Sequence, residues 1–222
     1  TQMRLFAGRF APAFLIAALF VVVSSITRAL LALCSGLGPA AGVWEWARLF
    51  GLGLLFDAVA ANYVALPVAL WLALVPDRVA RSWPHRALTL VVFAAFAYGF
   101  TVLAIAEWLF WDEFGSRFNF IAVDYLLYTH EVLGNIWQSY PVGRMLLALG
   151  LGAVLLTVPV AKLLCRASGK PASWRAGVLV ALAWIAAAAG TLRFLDSDMK
   201  NFSSRDAAND LAGNGLYEFF AA

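Results

Sequence analysis

Five long apolar runs constrain this 222-residue chain more than any other feature. They extend approximately from Phe10 to Leu33, Leu49 to Val75, Leu88 to Trp111, Met145 to Leu164 and Ala176 to Leu195. A hydrocarbon layer of roughly 30 Å is crossed by about 20 apolar residues in helical form, because lipid offers backbone N–H and C=O groups no partners. The sequence therefore predicts an all-α polytopic membrane protein with five transmembrane helices. Composition agrees: 63% of residues are hydrophobic, 13% are charged, and mean hydropathy is +0.81. A soluble enzyme or nucleic-acid-binding domain is excluded on these grounds.

Charge at the junctions gives an orientation. Arg4 and Arg9 precede the first run, Arg78, Arg81 and Arg86 follow the second, and Lys162, Arg166, Lys170 and Arg175 flank the turn after the fourth. By the positive-inside rule this side is cytoplasmic. The other side carries Glu45, Asp112, Glu113, Asp124, Glu131, Asp196, Asp198, Asp206, Asp210 and Glu218, so the C-terminus is expected to be exported. Trp44, Trp46, Trp108, Trp111, Trp137 and Tyr140 fall at that boundary as an aromatic belt. Cys34 and Cys165 are expected at opposite ends of the membrane, too far apart to pair. Leu33 before Cys34 is too large for a lipoprotein processing site, and the apolar run is too long for a signal peptide.

Residues 112–142 are too polar to cross but rich in aromatics. At 100° per residue, Asp124, Tyr128, Glu131, Asn135 and Gln138 share one direction, while Ala122, Leu126, Leu133 and Tyr140 face the other. An interfacial amphipathic helix between the third and fourth spans is expected. Its acidic stripe would face water or protein, since helices held by anionic lipid are basic. The bland role is a collar over the bundle; the sharper one is substrate access.

Four polar residues lie inside the spans: Arg28, Asp57, Asn62 and Glu107. Arg28 and Asp57 lie about 8 and 12 Å from the same boundary on adjacent antiparallel helices, which predicts an ion pair. Such a cluster could be a polar pin for the bundle or a site for a lipid headgroup, and both readings stay open. Pro67 and Pro159 are expected to kink their helices. Ala61 with Ala65, Ala148 with Gly152, and Ala186 with Gly190 have the spacing for close helix approach. No phosphate-binding glycine loop, paired-cysteine metal motif or nucleophile motif occurs. His130 and Glu131 diverge by 100° on a helix, and His85 lies on the cytoplasmic side, so surface histidines are expected rather than ligands. No metal or catalytic residue is assigned in this chain.

The stretch from Arg117 to Ile136, RFNFIAVDYLLYTHEVLGNI, followed by Ser139-Tyr140-Pro141, resembles the membrane domain of bacterial sulfatase-like proteins of the lipoteichoic acid synthase family. The tail Leu211–Ala222, LAGNGLYEFFAA, is similar to the connector that leads in that family into an exported alkaline-phosphatase-like domain. The resemblance implies a phosphotransferase that moves phosphoglycerol or phosphoethanolamine from a phospholipid to an envelope glycan or polymer. It also implies a divalent metal in the catalytic domain, which would lie beyond Ala222. Residues 1–195 would then be the anchor and 196–222 a linker, mobile without its domain. The partners implied are membrane phospholipid and the chain's own exported domain, with no nucleic acid. Phe118, Asn119, Asp124, Tyr125, Tyr128, Glu131 and Asn135 are the candidate docking or lipid-entrance residues, and Arg117, Arg144 and Arg193 candidate phosphate contacts. The alternative is a non-catalytic regulatory or scaffolding domain of the same architecture. A channel is disfavoured, because the polar residues do not trace a continuous path.

Overall fold

The computed structural model describes residues 8–38, 42–119, 121–123, 129–171 and 173–221, without the side chains of 129–133 and 168. Its elements are helical: α1 (Ala11–Cys34), α2 (Val43–Leu74), α3 (Asp77–Ala80), α4 (Trp83–Phe114), α5 (Thr129–Ser139), α6 (Val142–Ser168), α7 (Trp174–Phe194), a 3-10 turn (Ser197–Lys200), α8 (Asp206–Ala212) and α9 (Gly215–Ala221). No strand occurs among the described residues. Helices α1, α2, α4, α6 and α7 are long and apolar enough to cross a membrane, so the chain is an all-α polytopic membrane protein with five spans.

The spans outrun the apolar runs that announce them. Helix α2 begins at Val43 and α4 at Trp83, each about a turn or more before its apolar run. Polar and aromatic residues such as Glu45, Trp46, His85 and Glu113 can continue a helix at a membrane boundary, because only the hydrocarbon layer excludes them. The ends are set by glycine. Gly115 has φ +64° and donates its N–H to the Trp111 carbonyl at 2.8 Å, the left-handed cap that stops α4. Gly36, just after α1, also has a positive φ, +69°. Helices α2 and α6 run through Pro67 and Pro159.

Backbone contacts divide the chain into two compact units. The first contains residues 1–20, 61–100 and 151–194. Its interior is aliphatic and aromatic: Ile16, Ala65, Ala69 and Leu72 are enclosed, Phe20 meets Phe100 edge-on at 5.1 Å, and Phe14 tilts against Trp184 at 4.8 Å. The Trp184 indole N–H donates to the Asn62 carbonyl at 3.2 Å, and the Tyr63 hydroxyl meets that of Thr191 at 2.7 Å. Arg9 binds the Asp77 carboxylate at 2.9 Å and the Val75 carbonyl. His85, expected at a surface, is buried with its ring 5.0 Å from Trp71. Of the small-residue pairs, Ala61 and Ala65 are buried as expected for close packing. Ala148 and Ala186 are exposed instead, and nothing lies within 4 Å of a Cβ placed on Gly152 or Gly190. Four-residue spacing occurs by composition alone in a chain this rich in alanine and glycine. Neither Cys34 nor Cys165 forms a disulfide.

The second unit contains residues 21–60, 101–150 and 195–222. Its apolar core joins Leu31, Leu37 and Leu49 to Trp111, Ala208 and Leu211. The tail thus belongs to a packed unit. Its acidic composition suggested a loosely held linker, but Ala208, Leu211 and Ala212 are fully enclosed. The acidic residues occupy other faces of two short helices whose small apolar faces are covered. Asn209 fixes the approach to α8 by accepting the N–H groups of Phe202 and Ser203 (3.1 and 2.9 Å) and donating to the Ser203 carbonyl (2.8 Å).

Candidate functional site: a buried ion-pair cluster closed by the tail

The expected Arg28–Asp57 pair is present. It is bidentate, at 2.6 and 2.7 Å, with both side chains 1% exposed or less. In lipid, or in a protein interior of similar polarity, a charge persists only where its counter-charge and hydrogen bonds replace water. Arg28 satisfies this fully. Beyond Asp57, it donates to the carbonyls of Gly53 (3.0 Å), Leu211 (2.8 Å) and Gly213 (3.1 Å). Gly53 is required by proximity, because a Cβ there would lie 2.3 Å from the guanidinium carbon.

A second pair stands on the same tail carbonyl. Arg117 binds Glu107 through Nη2 at 2.8 and 3.1 Å and through Nε at 3.3 Å, and its Nη1 donates to the Gly213 carbonyl at 2.8 Å. Burial alone would lower the Arg117 pKa; facing Glu107, with Asp57 and Glu218 adding, raises it instead. Asn214 completes the cluster. Its side-chain N–H₂ donates to Asp57 at 2.7 Å and its side-chain oxygen accepts the Tyr217 N–H at 3.0 Å, opening α9. At Gly215 a Cβ would sit 1.6 Å from a Glu107 carboxylate oxygen, so no other residue fits unless Glu107 moves.

Leu211–Gly215 therefore forms the lid of a polar chamber. Its backbone supplies acceptors to two arginines, its one amide side chain supplies a donor to a carboxylate, and its glycines allow the approach. Two further pairs hold the tail. Lys200 binds Glu218 at 2.8 Å, and Glu45 binds Ser203 at 2.5 Å and Arg205 at 3.4 Å. Phe56 tilts against Tyr217 at 5.2 Å, and Phe118 against Phe219 at 6.5 Å.

The candidate residues are distributed unevenly around this cluster. Arg28, Asp57, Glu107 and Arg117 converge. Arg117 is 3% exposed and bound on every guanidinium nitrogen, a placement different from the lipid-facing contact considered for it. Asn62 belongs to the other unit; it is half-buried, and its side-chain nitrogen finds no partner among the described residues. Phe118 packs edge-on against Phe110 at 5.1 Å. Asn119 accepts the Ile121 N–H at 2.9 Å and donates to Ser116 at 3.2 Å, a turn-forming role. Asp124, Tyr125 and Tyr128 lie outside the described residues, as does the side chain of Glu131. Asn135 and Gln138 are exposed on α5, as their polar stripe implies, and so is Trp137. Arg144 and Arg193 are exposed, and the Arg193 guanidinium lies 5.9 Å from the Phe194 ring.

Sequence reasoning missed Leu211, Gly213, Asn214 and Gly215 as partners of the intramembrane charges. One signal was available: Gly-Asn-Gly between two short helical patterns is a backbone built for close approach. Within the cluster, each arginine is neutralised by one carboxylate, and the Ser25 hydroxyl donates to Asp57 at 3.4 Å while that of Ser24 accepts from the Asn214 side chain at 3.5 Å. Among the described residues no three His, Cys, Asp or Glu side chains gather as metal ligands. The arrangement can hold chain segments at a fixed place; its donors are already used.

Fold and site together define a polytopic membrane protein whose C-terminal segment is folded back onto charges within its spans. No family model, curated protein or solved structure matches the chain.

Proposed function

We propose that this chain is the membrane-anchoring domain of a lipid-headgroup phosphotransferase of the lipoteichoic acid synthase-like sulfatase family. In this reading it sits in a bacterial cytoplasmic membrane with its N-terminus inside, its tail exported, and a metal-dependent catalytic domain following Ala222. The domain acquires phosphoglycerol or phosphoethanolamine from a phospholipid and passes it to an envelope glycan or polymer. The anchor confines that chemistry to the headgroup layer, where the local concentration of lipid is high.

One observation carries the reading beyond the sequence resemblance. The segment similar to the family's connector is gripped by Arg28, Asp57 and Arg117 through Gly213 and Asn214. A tail held this way would deliver whatever follows it to a defined place, as positioning requires and as a flexible tether would not. Since the chamber's charges are balanced and occupied by the tail, its role here is to hold the connector rather than to receive a headgroup.

The test uses the complete gene product, reconstituted in vesicles containing phosphatidylglycerol or phosphatidylethanolamine, with and without manganese. The expected result is metal-dependent release of diacylglycerol by the complete protein and none by residues 1–222. A downstream domain lacking a threonine within a metal-binding site, together with no diacylglycerol release, would replace this reading with the scaffolding one. Metal-dependent turnover by residues 1–222 alone would contradict both.

A further inference from the structure

In the first unit, the end at which α1, α4 and α7 begin and α2 and α6 finish is tied together and strongly basic. Arg9 binds Asp77, and the Trp71 ring lies 5.0 Å from that of His85. Gly177 of α7 packs on Ala73 of α2, and Arg86 of α4 lies over Gly169 in the α6–α7 turn, its Nη2 3.0 Å from a Cβ placed there. Asp77 is the one carboxylate in residues 8–20, 61–100 and 151–194, and Arg9 holds it. Arg78, Arg81, Arg86, Lys162, Arg166 and Arg175 are exposed, and none forms an ion pair among the described residues. The buried side chains of the same end, Arg9 and His85, add no negative charge; Arg9 Nε and His85 Nε2 are enclosed without a partner. Two helix N-termini add to the positive potential. Neither α4 nor α7 has an acid in its first turn, where each carries an arginine instead, Arg86 and Arg175. A cation there is opposed by the helix dipole unless an anion faces it.

We propose that this face binds anionic phospholipid, with Arg86 and Arg175 facing the phosphates and Leu88 and Leu179 the acyl chains. The positive-inside rule accounts for the sign of the charge, but basic residues anywhere in the loops would satisfy it. It does not call for arginines on two helix N-termini beside exposed tryptophans. Trp83 and Trp174, the first residues of α4 and α7, are 79 and 80% exposed. Leu88, Leu163 and Leu179 are exposed about one helical turn from Trp83, Arg166 and Arg175, on the span side. Guanidinium groups take phosphate oxygens, tryptophan rings settle at headgroup level, and the leucines offer hydrocarbon. An amphiphile meets all three; free phosphate would meet only the first. In the orientation expected from the charges, the lipid belongs to the cytoplasmic leaflet, where anionic lipids attract basic segments. The surface is separate from the chamber under the tail and stands whether or not a phosphotransferase domain follows Ala222.

The test places residues 1–222 in phosphatidylcholine nanodiscs with a trace of spin-labelled phosphatidylserine, a lipid whose headgroup the proposed reaction does not transfer. Its immobilised fraction is compared with that of spin-labelled phosphatidylcholine. Phosphatidylserine is expected to be preferred by about 25-fold, about fivefold for each of the two arginines. R86Q and R175Q should each lose about fivefold, and the double variant should show no preference. R144Q/R193Q, altered at the other ends of α6 and α7, should match the parent, and R86K/R175K, which keeps the charge, should retain most of the preference. Equal immobilisation of the two lipids in the parent would overturn the proposal. So would a preference that survives in R86Q/R175Q, or one that is lost in R144Q/R193Q or in R86K/R175K. Abolition of the preference by inorganic phosphate, at an ionic strength matched with chloride, would mark a site for free phosphate and overturn it as well.

Discussion

Two polar segments border the apolar spans, and they behave in opposite ways. Helix α5 has an amphipathic pattern, yet Asn135, Trp137 and Gln138, and Tyr140 just after it, are all exposed. The tail has more acidic residues, yet its Leu211–Gly215 stretch is buried throughout and contacts four ionised side chains directly or through Asn214 and Gly215. The difference lies in backbone access. A polar segment is drawn into a charged interior when its carbonyls can reach the charges, and that takes small residues, not apolar ones. Amphipathicity describes which side of a helix is covered and says nothing of where its carbonyls go.

The comparison breaks most readily at Gly215. Replacing it with valine puts a side chain where the Glu107 carboxylate lies, forcing apart the Glu107–Arg117 pair; breaking a buried pair costs about 3–5 kcal/mol. Thermal unfolding in detergent should show a drop far larger than for Gly134→Val on α5, where nothing lies within 4 Å of a Cβ. Equal effects would remove the distinction between the segments.

Arg28→Leu leaves Asp57 buried without its partner and should cost nearly as much, about 3–5 kcal/mol. The double replacement of Arg28 and Asp57 by leucine should recover part of that loss, since no uncompensated charge remains. Recovery will be incomplete, because Asn214 and the Leu211 carbonyl then lose their partners. A double-mutant cycle on chemical unfolding checks this, and strict additivity would show that the pair is not coupled.

A smaller effect is expected at Asn214. The alanine variant leaves one Asp57 oxygen short of a donor and loses the α9 cap, for a cost of about 1–3 kcal/mol. Asn214→Asp, which places a second carboxylate beside Asp57, should be worse than alanine at neutral pH and recover in acid. On α5, Asn135→Ala and Gln138→Ala should change stability by less than about 0.5 kcal/mol, as surface substitutions do. A large loss at either would mean that α5 makes contacts its exposure does not suggest.

The spans were legible because lipid imposes length and composition together, and the Arg28–Asp57 pair because matched depth on adjacent helices leaves few alternatives. The Glu107–Arg117 pair was hidden by the turn at Gly115: α4 ends between the two residues, so helical periodicity could not bring them together. The tail was hidden by its charge. Asp206, Asp210 and Glu218 read as solvent-facing, while the features that matter were a carbonyl at Leu211, another at Gly213, and the absence of a side chain at Gly215. Contacts made by backbone atoms leave little trace in composition.

Amide hydrogen exchange of residues 206–221 in nanodiscs tests the central claim most directly, that the tail is an integral part of the membrane unit. The N–H groups of Gly213, Tyr217 and Glu218 are hydrogen-bonded within the docked tail and should exchange as slowly as those in the buried half of α2. Exchange at the rate of an unstructured peptide would contradict the account, and the roles given to Gly213, Asn214 and Gly215 would fall with it.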